Sequence, residues 1–224
     1  MCGFSAVYSN TGFEFSDLVK MNDAISHRGP DGEGFYLYDK SQNSSHLLKQ
    51  ATEESSFLDG KYNVLIGHRR LAIVDLSESG FQPMESDDKR FVIAFNGEIY
   101  NHHELKVELE KLGHSFHSNC DTEVLLKSYI EWGEECLNKL NGMFAFQIFD
   151  KDSHTVFGAR DRFGVKPLYY WKTNGNLALA SEIKQFTTLP NWQAKMNQPR
   201  VYDFLQYGQT DHTSETLFLN VHQI

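Results

Sequence analysis

The chain has 224 residues, 40% of them hydrophobic, with 17 Phe and 10 Tyr: enough apolar surface for one large domain, or one domain and the start of another. A net charge of −9 argues against a nucleic-acid or anionic-membrane partner, so single arginines read as local tools for binding a carboxylate. Cys2, Cys120 and Cys136 are odd in number and lack C-x-x-C spacing, which favours a reducing, cytoplasmic compartment over a disulfide framework.

The first residues, Met1-Cys2-Gly3-Phe4, already carry possible chemistry. They lack the basic flank and long apolar run of a signal peptide or membrane span. Removal of Met1 would place a thiol and a free α-amine on the same residue. An α-amino group has a reference pKa of roughly 7.7–8, so a useful fraction is neutral near pH 7 and can take the proton of a thiol. The competing reading is a cysteine that only opens a buried strand, with Phe4, Ala6 and Tyr8 on one face and Val7 on the other.

Strands are predicted over 2–8, 34–38, 64–67, 91–95, 143–149, 155–158, 168–171 and 177–180. They are short, alternate in polarity and are separated by Gly, Asn or Asp, a pattern of antiparallel pairing. Val92-Ile93-Ala94-Phe95 and Phe144-Ala145-Phe146 are apolar on both faces, which predicts sheets covered on both sides. Helices are predicted over 16–26, 102–112, 121–132 and 199–207, with a short continuation over 134–140 after Gly133. Asn101 is placed to cap the second helix, Glu104 completes a capping-box pattern, and Leu105, Leu109 and Leu112 form its apolar face. The third helix is expected to turn Val124, Leu125 and Ile130 inward. Residues 41–56 read as a surface loop and 217–221 as a strand. We expect one domain over 1–190, then a linker and the start of a further domain over 191–224, continuing past this chain's last residue.

Four segments combine reactive or polar side chains with turn residues: His27-Arg28-Gly29-Pro30-Asp31-Gly32, Gly67-His68-Arg69-Arg70-Leu71-Ala72-Ile73-Val74-Asp75, Asn96-Gly97-Glu98-Ile99-Tyr100-Asn101 and Cys120-Asp121-Thr122-Glu123. Each has a structural explanation. The first is a sound turn sequence, Asn-Gly is a strong hairpin signal, and Asp121 is an ordinary helix cap. The adjacent His102-His103 and the isolated His114-x-x-His117 make no convincing metal site, and none is expected.

Together with Met-Cys-Gly at the start, Leu-Asn-Gly-Met-Phe-Ala-Phe (140–146), Ala-Arg-Asp-Arg-Phe-Gly-Val-Lys-Pro-Leu-Tyr-Tyr (159–170) and Ala-Ser-Glu-Ile-Lys (180–184), these segments stand in one order along residues 1–186. The set resembles the class II, N-terminal-nucleophile glutamine amidotransferases, and in particular the glutaminase domain of glutamine-hydrolysing asparagine synthetases. The resemblance implies an α+β fold, a four-layer αββα sandwich with two antiparallel sheets between helical layers. It implies Cys2 as the nucleophile once Met1 is gone, with its α-amine moving the proton. Asn96 and Gly97 would form the oxyanion hole. Arg70 would grip the glutamine α-carboxylate, Asp121 with Glu98 the α-ammonium, and Leu71, Ile73 and Val74 would line the pocket. The Arg28–Asp31 segment would help to close the site, and Arg160, Asp161 and Gly164 would be structural.

Phe4 stands where many relatives have a smaller aliphatic residue, and Ala72 where serine is frequent; both are expected to alter the pocket edge. The chain has no Ser-Gly-Gly-x-Asp-Ser loop and no Walker A sequence. The resemblance therefore implies L-glutamine as substrate and no cofactor for this segment. ATP and Mg are expected in a covalently following synthetase domain, and a homodimer is admitted. Two alternatives stay open: an acceptor other than aspartate, such as a sugar acid, and a non-catalytic glutamine-binding module.

Overall fold

The computed structural model describes residues 1–52, 58–72, 80–173, 175–190 and 192–224. Two antiparallel sheets organise it. The larger is built from β1 (Gly3–Glu14), β2 (Gly32–Asp39), β3 (Ser44–Leu48), β4 (Lys61–Arg70), β9 (Tyr169–Thr173), β10 (Asn176–Ala180) and β11 (Val221–Gln223). Its order is β11-β9-β10-β1-β4-β2-β3. The smaller contains β5 (Met84–Glu85), β6 (Phe91–Ile99), β7 (Gly142–Asp150) and β8 (Thr155–Arg160), in sequence order.

Period-two alternation along the strands separates three apolar layers. Phe4 and Ala6 on β1, Tyr36 and Tyr38 on β2, and Val64 and Ile66 on β4 point between the sheets, where they meet Val92, Ala94, Ala145 and Phe149. The intervening residues Val7, Phe35, Leu37 and Leu65 face outward onto α1 (Phe15–Asp23), through Leu18 and Met21. On the other sheet, Ile93, Phe95, Phe144, Phe146 and Ile148 face α2 (His102–Lys111) and α3 (Asp121–Trp132), through Leu105, Leu109, Val124 and Leu125. Burying each of these larger side chains is worth about 1.5–3 kcal/mol. The result is the αββα sandwich expected.

Several local expectations are corrected. Residues 44–48 of the expected loop form the edge strand β3, paired with β2. The short continuation after α3 is a 3-10 helix over Gly133–Asn138. At the C-terminal end the strand falls at Val221–Gln223, after a turn in which Asn220 has φ 64°. Asn101 does not cap α2 through its side chain. Its amide donates instead to Lys139 O and accepts from Asn141 N–H, tying the helix start to the approach to β7. Leu112 is exposed because α2 stops at Lys111 and the chain turns at Gly113, and Ile130 lies on the outer side of α3. α4 (Gln198–Tyr207) forms where expected.

His68 on β4 shows how the sheets are joined. It is fully buried, and its Nε2 lies 3.0 Å from Phe95 O on β6. A carbonyl only accepts, so Nε2 carries a proton, in the neutral and the charged ring alike. Burial lowers its pKa to about 4, helped by Arg70 and opposed by the Phe95 bond. An unfolded histidine, at 6.5, binds a proton more readily, so this contribution is complete above about pH 6.5 and is lost as pH falls toward 4. The expected loss is about 3 kcal/mol. Urea unfolding of wild type and His68→Leu at pH 7.5 and 4.5 checks this. The leucine variant should lose less stability on acidification by most of that amount, and equal losses would mean the ring is not held neutral.

Candidate active site

A cleft opens where the start of β1 and the end of β4 meet β6 of the other sheet. Cys2 lies on its wall, partly buried, and its side chain is positioned by Leu71, which follows β4. The Leu71 N–H donates to Cys2 Sγ at 3.3 Å, and Sγ lies 3.4 Å from Leu71 O. From behind, Arg28 Nε donates to the Cys2 carbonyl at 2.8 Å, while Arg28 Nη1 bonds Glu182 at 3.0 Å. Asp31 accepts from Ala72 N–H at 2.9 Å. The Arg28–Asp31 segment therefore braces the cleft from outside rather than lining it.

Asn96 and Gly97 line the same cleft as Cys2, from β6 of the other sheet. They are not a hairpin turn. Both lie inside β6, opposite Ala145 and Phe144 of β7. A Cβ on Gly97 would come within 2.3 Å of Met143 O, so the approach of β7 demands glycine there. Asn96 is 1% exposed, and its Nδ2 has no hydrogen-bond partner among the described residues. Leaving a buried donor unmade costs about 1–3 kcal/mol, so such a group marks a position arranged for something else. Gln82 steadies this strand: its Oε1 accepts from Phe95 N–H at 2.7 Å, and its Nε2 donates to Thr122 Oγ1 at 3.2 Å.

Arg70 and Glu98 line the same cleft, as does Asp121 at the start of α3. Asp121 is not the cap of that helix. Cys120 holds the cap position, and the Asp121 carboxylate accepts from Ile99 N–H at 3.0 Å. Burial pushes its pKa up, against the Ile99 and Thr122 N–H bonds and the charge of His102. A buried carboxylate in that condition is a receptor for a cationic group, which would restore its charge. Leu71 lines the cleft, whereas Ile73 and Val74 lie outside the described residues. Phe4 is buried between the sheets and does not reach the cleft, so its size leaves the pocket edge untouched; Ala72 does line it.

The cleft also contains Gln82, Thr122, Met143, Cys120 and Lys166, none of which was expected there. All but Gln82 stand inside motifs quoted above, so their positions carried a signal, but only the fold shows which way they point. Lys166 ends a turn organised by Asp161. The Asp161 carboxylate accepts the N–H groups of Phe144, Phe163, Val165 and Lys166 at 3.0–3.2 Å. Although burial opposes its charge, these donors hold its pKa below the ordinary value. Arg160 bonds the carbonyls of Lys166 and Gly164 at 2.7 and 2.5 Å, and Gly164 has φ +61°. The expected structural role of Arg160, Asp161 and Gly164 is this turn. No group of metal-ligating residues occurs among the described residues, and no helix among them is long and apolar enough to cross a membrane.

The Cys2 thiol thus stands at the start of one sheet, and the Asn96 and Gly97 amides on the other, within one framework, the αββα sandwich. Solved structures share it. A glutamine phosphoribosylpyrophosphate amidotransferase from B. subtilis superposes with TM-score 0.69 at 24% identity, covering 84% of this chain and 43% of that one. An allosteric regulatory enzyme of purine biosynthesis gives 0.67 at 26% identity, with the same coverage. Residues 47–224 match the glutamine amidotransferase domain family, and the chain belongs to it.

Curated relatives include asparagine synthetase [glutamine-hydrolyzing] 1 of Bacillus subtilis, 41% identical over 85% of this chain and 27% of that protein. A putative asparagine synthetase [glutamine-hydrolyzing] 2 of Methanocaldococcus jannaschii is 38% identical over 88% of this chain and 37% of that protein. The chain thus spans between about a quarter and just over a third of the length of the curated relatives it matches.

Proposed function

We propose that this domain hydrolyses L-glutamine to glutamate and ammonia through a thioester on Cys2, after removal of Met1. The observation that carries this reading is the buried, unpartnered Asn96 amide on the same cleft as the Cys2 thiol. A donor left open in this way is free to bind an incoming oxygen, and it binds most strongly one that develops negative charge.

In the proposed reaction the Cys2 α-amine takes the thiol proton, and sulfur forms a bond to the glutamine side-chain carbonyl carbon. The carbonyl electron pair moves onto oxygen, held by Asn96 Nδ2 and Gly97 N–H. Collapse breaks the carbon–nitrogen bond, and the ammonium proton of Cys2 passes to the leaving group, which departs as ammonia. Water then attacks the thioester, the amine takes its proton, and the thiol is returned as glutamate leaves. Arg70 binds the α-carboxylate, where a planar fork suits a planar anion, and Asp121 with Glu98 receives the α-ammonium. Glutamate is not turned over because it lacks the amide, and asparagine is one methylene too short.

By likeness to the asparagine synthetases, the ammonia is proposed to serve amidation of aspartate in a following domain, which would supply the ATP and Mg chemistry. The test is ammonia release from glutamine, with asparagine as control, by chain whose loss of Met1 is verified by intact mass. Release from glutamine alone supports the reading, and none from verified Met1-free protein overturns it. Arg70→Ala should raise KM for glutamine by about 10² while changing kcat far less, since a charge-assisted pair to the substrate is lost. An unchanged KM would place the carboxylate elsewhere.

A further inference from the structure

Lys166 has no part in the steps above, yet it lines the same cleft as Cys2 and is only 6% exposed. Lysine is almost never buried to that extent without a strong partner. Here Nζ lies 3.4 Å from Met1 Sδ, and a thioether is a weak acceptor. The Asp161 and Arg160 bonds fix the turn that carries it, so the ammonium is held against the tip of the side chain of the residue bonded to the Cys2 nitrogen.

We propose that Lys166 is a positioning residue for the Cys2 N-terminus: with Met1 gone, its ammonium faces the new α-amine, keeps it neutral, and favours negative charge on the sulfur. The inference rests on the hydrolase reading. Its physical basis is that a nearby like charge disfavours the protonated amine, while an opposite charge favours the thiolate. Among the described residues, the other charged groups on the cleft are Arg70 from β4, Glu98 from β6 and Asp121 from α3, with Cys120 as a second thiol. Arg28 reaches the Cys2 carbonyl from behind. Arg70, Glu98 and Asp121 are engaged by the two charged ends of glutamine. Arg28 is paired with Glu182, so among the described residues Lys166 is the cleft-lining cation without a carboxylate partner beside the residue that must lose a proton.

The test uses Lys166→Met, which keeps the length and removes the charge, and Lys166→Arg, which keeps the charge. For Met1-free protein, kcat/KM for glutamine is measured against pH. In parallel, the rate of Cys2 alkylation by iodoacetamide is followed without glutamine, and the modified peptide is identified by mass. In Lys166→Met the acid limb of both profiles should move up by about one pH unit, lowering kcat/KM on that limb about tenfold with KM within about twofold. Lys166→Arg should retain the wild-type limb. Superimposable profiles for Lys166→Met and wild type overturn the inference, and so does a change confined to KM. If Lys166→Met does not fold, Lys166→Gln carries the same two measurements. A wild-type chain that releases no ammonia refutes the hydrolase reading, while the alkylation profile still decides the electrostatic role of Lys166.

Discussion

Cys2→Ala is expected to abolish glutamine hydrolysis, lowering kcat on the order of 10⁴-fold or more, because removing the nucleophile of a concerted site costs about as much as removing the whole assembly. The fold should be unaffected. Cys2 is only partly buried, and although its sulfur contacts Leu71, those are weak sulfur bonds, while its carbonyl stays bonded to Arg28 in the variant. Glutamine should still bind, since the residues proposed to hold its charged ends are on β4, β6 and α3. Ammonia release measured beside glutamine binding by calorimetry separates these effects. Retained hydrolysis by verified Cys2→Ala would remove the thiol from the reaction.

Asn96→Ala should lower kcat by roughly 10²–10³ with little change in KM, the usual cost of deleting one oxyanion donor. The accompanying expectation concerns stability. A buried amide that makes a bond normally costs stability when removed, but Asn96 Nδ2 has no partner among the described residues. Deleting an unmade bond removes a desolvation cost instead of a contact, so the urea midpoint should stay close to that of wild type. Gly97→Ala offers the contrast: its Cβ would meet Met143 O, so it should lose stability as well as activity. A large loss of stability in Asn96→Ala would show that its amide is structural.

The layers of the fold were legible because the strands are apolar on both faces. Val92 and Ala94 point one way and Ile93 and Phe95 the other, and each face found a cover. Edges and ends were harder to read. β3 contains Ser44, Ser45 and His46 at the rim of the sheet, where half-exposed polar residues look like loop. Local signals also misled where a long-range contact decided the outcome. Asn96-Gly97 reads as a hairpin turn, but the close passage of β7 makes it the middle of a strand. Asp121 reads as a helix cap, but the Ile99 N–H on the neighbouring strand claims its carboxylate. In both cases the structural explanation of the motif fails and a cleft-lining position takes its place. Lys166 was invisible as a site residue because nothing local distinguishes a lysine pointing into a cleft from one in solvent.

The most direct test of Cys2 as an acyl-forming nucleophile is intact mass after rapid acid quench of Met1-free chain mixed with glutamine. A thioester intermediate predicts a transient adduct of one glutamyl group, mapping to the N-terminal peptide and absent from Cys2→Ala. Turnover of glutamine to ammonia with no adduct at any quench time, or with the adduct on another residue, would contradict it.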